Sequence, residues 1–185
     1  WVVVGHHLDD LSEDVLMRLV RGSGWPGLGG MKAVDPARHL LRPLLGTSRA
    51  ELEDFLRSLG VDWIEDASNR SDAFRRNRMR NHVIPLLKAE NPSFSRSTRT
   101  LWELAREDEH YWDEVLAPVF AQLREENGSL LLPRAAFVSL PRAARLRVYA
   151  GLFHRFGRGQ AQSETLFRLD EAAVSSRSRK VFQFP

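Results

Sequence analysis

The chain has 185 residues, 43% hydrophobic and 28% charged, with a formal net charge of +3, a composition that buries a core and excludes a disordered polyelectrolyte. Cysteine is absent, which excludes a disulfide framework, a thiolate metal site and a cysteine nucleophile, and suits a reducing, cytoplasmic setting. No apolar run approaches the roughly 20 residues of a membrane helix, so no membrane association is expected.

In chain order, residues 2–4 form a short apolar run, the pattern of a buried parallel strand. The chain opens Trp1-Val2-Val3-Val4-Gly5 without methionine, as if inside that strand, so we expect a piece of a longer protein. A helix is predicted over residues 10–21: Leu11, Val15, Leu16, Leu19 and Val20 share one face, and Gly22 stands where a C-cap glycine would. A glycine-rich loop occupies residues 22–30. Arg42-Pro43-Leu44-Leu45 leads to a second helix, opened by a capping box of Ser48 and Glu51. Its core stripe is Leu52, Phe55, Leu56 and Leu59, and Gly60 stops it. Residues 61–64 read as a strand, and the strand–helix–helix–strand order predicts an α/β fold with a parallel sheet.

Residues 65–80 are polar and arginine-dense, and a helix then passes through Val83, Leu86 and Leu87 with a kink or break at Pro85. Asn91-Pro92 marks a boundary. A long helix from Ser93 carries Leu101, Leu104, Trp112, Val115 and Leu116, bends at Pro118 and links two lobes. Beyond Asn127-Gly128 we predict a strand at 130–132, helices at 142–156 (closed by Gly157) and 164–173, and a strand at 181–184. The expected organisation is an α/β domain over 1–92, a long helical linker over 93–127 and a small, mainly helical basic domain over 128–185.

The charge is unevenly spread. Residues 1–92 hold 13 basic and 13 acidic side chains, residues 93–127 hold 4 and 8, and residues 128–185 hold 10 and 3. Of the cations, 24 are arginine and 3 lysine. A basic lobe rich in planar guanidinium forks suits an anionic macromolecule such as nucleic acid, with an arginine-rich solvated surface as the plainer alternative.

Three segments carry candidate chemistry. Gly5-His6-His7-Leu8-Asp9-Asp10 stands where a strand hands over to a helix, the place where open α/β sheets bind ligands. Asp10, Glu13, Asp14, Met17 and Arg21 fall opposite the core stripe. An acidic row there holds either a metal or a substrate ammonium; taken alone, the Asp-Asp pair favours simple helix capping above a solvated face. His6 and His7 lack a third ligand at characteristic spacing, so no metal site is predicted. The glycine-rich loop matches neither the P-loop nor the dinucleotide fingerprint and by itself reads as mobile and substrate-contacting. Residues 66–80 set five arginines against two aspartates. Arg76 and Arg80, one helical turn apart, suit closure on one phosphate; the alternative is surface pairing with Glu65, Asp66 and Asp72.

Taken together these motifs resemble the tRNA(Ile)-lysidine synthetase family of the N-type ATP pyrophosphatase (PP-loop) superfamily. Its H-H-x-D-D-x-x-E-T helix start reads here His6-His7-Leu8-Asp9-Asp10-Leu11-Ser12-Glu13-Asp14, and its R-G-x-G-x-x-G-L-x-G-M follows as Arg21-Gly22-Ser23-Gly24-Trp25-Pro26-Gly27-Leu28-Gly29-Gly30-Met31. Then come Arg42-Pro43-Leu44-Leu45, Trp63-Ile64-Glu65-Asp66-Ala67-Ser68-Asn69, and Arg76-Asn77-Arg78-Met79-Arg80 with Pro85-Leu86-Leu87. Order and spacing agree over about the first 90 residues, and more loosely beyond. Leu11 and Asp14 replace the family's Gln and Thr. The family's S-G-G-x-D-S loop is absent, which reads as truncation upstream of Trp1, and the C-terminal end also reads as cut.

The resemblance implies ATP-dependent joining of the lysine ε-amine to C2 of the wobble cytidine in a CAU-anticodon isoleucine tRNA, through an adenylated intermediate. It implies Asp10 and Glu13 for the lysine, and Asp10, Arg76 and Arg80 as catalytic. His7, Arg21, Arg76, Asn77 and Arg80 would serve phosphates of ATP, the adenylate or tRNA. Gly22, Gly24 and Gly27 would lie near the activated base. The implied cofactors are ATP and Mg2+, the partners L-lysine and that tRNA, and the assembly a homodimer. The rivals are a tRNA-thiolating PP-loop enzyme, disfavoured by the absence of cysteine, and a non-catalytic tRNA-binding paralogue.

Overall fold

The computed structural model describes residues 1–64, 71–156 and 163–175. They divide into two compact units, Trp1–Arg106 and Glu107–Pro185.

The first unit opens with strand β1 (Val2–Val3) and helix α1 (Leu8–Val20). His7 takes the N-cap position, and its N–H donates to the Asp10 carboxylate at 2.9 Å, closing the first turn. Gly22 follows the helix at φ +76°, the left-handed conformation a terminating glycine supplies at low cost. Strands β2 (Val34–Asp35) and β3 (Leu40–Leu41) then pair antiparallel, and β1 lies parallel to β3 with Val2 opposite Leu40 and Val3 opposite Leu41. The sheet order is β1-β3-β2, so the small sheet is mixed. The β2 and β3 strands escape a periodicity reading because two residues show no alternation. Their tight connection is visible in Asp35, which accepts the Arg38 N–H at 3.2 Å, and in His39 at φ +51°.

Helix α2 (Arg49–Ser58) starts at the predicted capping box: the Ser48 hydroxyl accepts the Glu51 N–H and Glu51 accepts the Ser48 N–H. A helical run follows as α3 (Arg75–Arg78), a π-helical turn over Met79–Val83 and α4 (Ile84–Glu90). The wide turn lies directly ahead of Pro85, which has no N–H to give to the preceding turn. Helix α5 (Phe94–Phe120) carries Pro118 inside it, and the boundary between the two units falls within this helix. The first core joins Leu8, Leu11, Val15 and Leu45 with Met31, Ala33, Leu101 and Trp102, whose indole N–H donates to the Met31 carbonyl at 2.9 Å.

Several expected burials are overturned. Val2 and Val3 are 57% and 64% exposed, because β1 pairs along the β3 edge and its side chains gain no covering layer among the described residues. Leu19 and Val20 are exposed at the end of α1, as are Phe55 on α2 and Leu59 just after it, and α2 buries no residue. Residues 61–64 form no strand, and Ile64 is 98% exposed. Their β-branched pattern finds no sheet edge to pair with.

The second unit contains the end of α5, the hairpin β4 (Arg124–Glu126) and β5 (Ser129–Leu131), α6 (Arg134–Val138), α7 (Arg142–Phe156) and α8 (Ser163–Ser175). Asn127 and Gly128, at φ +51° and +72°, make the left-handed turn that a two-residue hairpin requires. Its core is Leu116, Val119, Phe137, Ala144 and Val148. The predicted helix stop at Gly157 and the predicted strand at 181–184 lie outside the described residues.

Candidate active site

The first turns of α1 place Asp10 and Glu13 on one side of the helix, as their spacing requires. That side is not solvated. Asp10 is 6% exposed and Glu13 fully buried, because the α3 run lies against them. Arg76 donates from Nε to Glu13 Oε2 and from Nη2 to Asp10 Oδ1, both at 2.6 Å. Arg80 donates from Nε to Glu13 Oε1 at 2.5 Å and from Nη2 to Asp10 Oδ1 at 2.9 Å. Two carboxylates and two guanidinium groups thus form a closed, charge-balanced cluster. Ionised groups tolerate such burial only when paired and hydrogen-bonded. Burial pulls the Arg76 guanidinium down, but the Glu13 hydrogen bond and the charges of Asp10 and Glu13 outweigh it and leave it above its ordinary value.

His7 lies between the two aspartates, Nδ1 at 3.6 Å from Asp9 and Nε2 at 3.5 Å from Asp10. His6 accepts from Arg42 Nε at 3.3 Å through Nδ1, and Arg42 also donates to the Lys32 carbonyl. Burial holds the His6 ring below its usual pKa against the opposing pull of Asp10. The neutral ring with Nδ1 unprotonated is therefore the form the fold uses.

A cleft of about 610 Å³ opens over this cluster. His6, His7, Asp10, Arg76, Asn77 and Arg80 form its charged wall; Leu52, Leu56, Trp63 and Ile64, with Arg49 and Glu53, form the other. Such a cleft accepts a ligand with a charged end and an apolar or aromatic body. Asn77 also ties its amide to the Ser71 carbonyl at 2.7 Å.

The structure thus gathers His7, Asp10, Glu13, Arg76, Asn77 and Arg80 in one place. It does not bring Arg21 or the glycine loop there. Arg21 caps the far end of α1, eight residues and about 12 Å beyond Glu13. Gly22, Gly24 and Gly27 lie in the loop after it and do not line the cleft. Nor is that loop slack: Arg18 donates to the Gly27 carbonyl at 2.9 Å, and Gly29 and Gly30 pack directly against α5 and α1. Asp14 pairs with Arg18 at 2.7 Å and leaves the acidic row. Of the alternative pairing of the arginines with neighbouring acids, only Asp72 falls among the described residues. Asp72 binds His82 and Asn81, while Glu65 and Asp66 lie outside the described residues. The α2 wall is not legible in the sequence pattern, which singles out neither Arg49 nor Glu53; the two pair with each other at 2.6 Å.

Among the described residues no cluster of three or more histidines and carboxylates is arranged for a metal ion. The oxygens of Asp10 and Glu13 already accept from arginine and from the His7 amide. This donor set does not fit Mg2+.

Residues 1–87 match the PP-loop domain family. Over 203 aligned residues the chain is 48% identical to the tRNA(Ile)-lysidine synthase of Nitratidesulfovibrio vulgaris, a match covering 100% of this chain and 58% of that protein. It is 39% identical to the enzyme of that name from Geobacillus kaustophilus over 80% of this chain and 32% of the relative. It is also 39% identical to that from an Azoarcus species, over 93% and 39%. The whole chain is a relative of the tRNA(Ile)-lysidine synthases, and it spans somewhat over half of the first of them and about a third of the others. The cleft lies wholly within residues 6–80, inside the PP-loop match.

Proposed function

We propose that the protein is part of an ATP-dependent ligase that joins lysine to C2 of the wobble cytidine of a CAU-anticodon isoleucine tRNA. The observation that carries this reading is a cleft lined by Asp10, Arg76 and Arg80, with Glu13 buried behind them and bound to both guanidiniums. The reaction needs both. In the first step the C2 oxygen of cytidine attacks the α-phosphorus of ATP and pyrophosphate leaves. In the second the lysine ε-nitrogen bonds to C2, the C–O bond breaks, AMP departs with that oxygen, and the amine releases a proton.

Asp10 and Glu13 take the lysine amine as ammonium by exchanging an arginine donor for it, since Arg76 and Arg80 occupy their oxygens without substrate; this role rests on the resemblance. Arg76 and Arg80, whose forks match phosphate geometry, stabilise charge on the departing phosphate oxygens, with His7 and Asn77 beside them at the cleft. Roles for Arg21 in phosphate contact, and for Gly22, Gly24 and Gly27 near the activated base, rest on the resemblance, as do the homodimer and Mg2+. The division into 1–92, 93–127 and 128–185 is proposed as catalytic part, linker and tRNA-backbone lobe. A cytoplasmic location suits a tRNA substrate, and no helix among the described residues is long and apolar enough to cross a membrane.

The direct test incubates the intact protein with ATP, labelled lysine and the CAU-anticodon isoleucine tRNA. Lysine incorporation is expected in that tRNA; none, with other tRNAs labelled instead, overturns the reading. A Glu13→Gln enzyme, which keeps the side-chain volume and one oxygen acceptor, is expected to raise its lysine requirement at least about tenfold, the scale of losing one charged hydrogen bond. An unaltered requirement removes Glu13 from the lysine site.

A further inference from the structure

Asp9 and Asp10 are neighbours in sequence, yet the fold sends them to different tasks. Asp10 lines the cleft and Asp9 does not. One oxygen of Asp9 accepts the backbone N–H of Arg49 at 2.9 Å, and the other accepts Lys88 Nζ at 3.0 Å. The Arg49 amide is the first of α2, one of the donors that a helix leaves without an internal partner. A carboxylate there also meets the positive end of the helix dipole. Lys88 stands on α4, eight residues beyond Arg80 in the same helical run, about 12 Å along its axis. The start of α1 is held to the same region by the Leu8 N–H, which donates to the Thr47 carbonyl at 2.9 Å.

We infer that Asp9 is a positioning residue, with Lys88 as its partner: one carboxylate on α1 fixes both of the other walls of the cleft. Through Arg49 it sets α2, which supplies Leu52, Glu53 and Leu56. Through Lys88 it gives the α3–α4 run a second anchor. Arg76 and Arg80 attach that run at its start and the buried Ile84 packs its middle, while the Lys88 pair adds a charged anchor near its far end. With Lys88 on Asp9 the run is held at both ends, and the guanidiniums stay in register with Asp10 and Glu13. The ionisation of Asp9 agrees with this task. Its burial alone would raise the pKa, but the Arg49 amide and the Lys88 ammonium together hold it below the usual aspartate value.

The test reads the arginines themselves by NMR in the whole chain. Slow exchange of the Arg76 and Arg80 Nε–H protons with water is expected in the parent. Lys88→Met, which keeps the stem and removes the charge, should accelerate that exchange about fivefold or more, the scale of one partly exposed ion pair. Lys88→Arg should restore it, with the thermal midpoint little changed throughout. Asp9→Asn keeps an acceptor for the Arg49 amide and should reproduce the Lys88→Met result. Unchanged Nε–H exchange in Lys88→Met and Asp9→Asn, or no rescue by Lys88→Arg, overturns the inference. A second readout rests on the function proposed above: the same two variants should lower kcat, because Arg76 and Arg80 serve the departing phosphate, as well as raise the KM for lysine. If the parent ligates no lysine, that function falls, while the exchange measurement still decides the role of Asp9.

Discussion

Glu13 shows how much a single buried side chain constrains. Fully enclosed, it is acceptable only because Arg76 and Arg80 each donate to one of its oxygens, and a buried carboxylate without such partners would become neutral instead. His6, a few residues earlier, is the converse case: the fold favours its neutral form, holding its pKa below 6.5 chiefly by burial. Because the unfolded chain takes up this proton first, stability contributed by His6 is whole above pH 6.5 and declines as the pH falls from there toward the lowered folded value. Urea midpoints are therefore expected to decrease as the pH falls below 6.5. A His6→Asn variant, which offers an amide oxygen near the place of Nδ1, should flatten that slope. An equally steep slope in the variant would assign it to other groups.

At the level of elements, contacts between segments decide which local patterns matter. The stripe on α2 is as regular as that on α1, yet Phe55 and Leu59 stay exposed while Leu11 and Val15 are buried. Periodicity says which residues share a face, and only a neighbouring element makes that face a core. The glycine loop teaches the same lesson. A Cβ on Gly29 would come within 2.2 Å of the Ala105 Cβ on α5, whereas one on Gly27 meets nothing within 4 Å. Gly29→Ala is expected to cost about 1–3 kcal/mol by overpacking and Gly27→Ala well under 1 kcal/mol, measured by chemical denaturation. Equal effects at the two positions would separate the loop from α5. Sequence reading noted both glycines, but the distinction between a spacer and a packing position needed the helix they face.

At the scale of the whole molecule, the basic lobe is less free for a nucleic-acid partner than its charge suggests. Arg145 donates to both oxygens of the buried Asp170, at 2.6 and 2.9 Å, and so joins α7 to α8. Arg134 donates to the Ala173 carbonyl, Arg142 lies over the Phe167 ring and Arg147 over Trp112. Among the described residues, therefore, Arg134, Arg142, Arg145 and Arg147 also hold the lobe together. Asp170→Ala is expected to destabilise the second unit by about 3 kcal/mol, as removing one member of a buried pair does. Hydrogen exchange should quicken in residues 107–156 and 163–175 and stay unchanged in the PP-loop match, because compact units open separately. Uniform acceleration along the chain would show the two units to be one cooperative body.

The sequence by itself determined what rests on interactions spanning a few residues. The start of α2 at Ser48, the glycine stop after α1, the Asn127-Gly128 turn and the bounds of α7 all follow from caps, turn conformations and helical spacing. It also supplied the ordered motifs that carry the family resemblance. Tertiary structure alone decided the pairings: Arg76 and Arg80 meet Asp10 and Glu13 across 63 to 70 residues of chain, and Lys88 finds Asp9 across 79. The physical reason is range. Caps and periodicity act within one or two turns, so neighbouring residues specify them, whereas ion pairs between distant segments exist only where packing brings helices together. Packing also determined that Asp10 faces the cleft while Asp9 braces it.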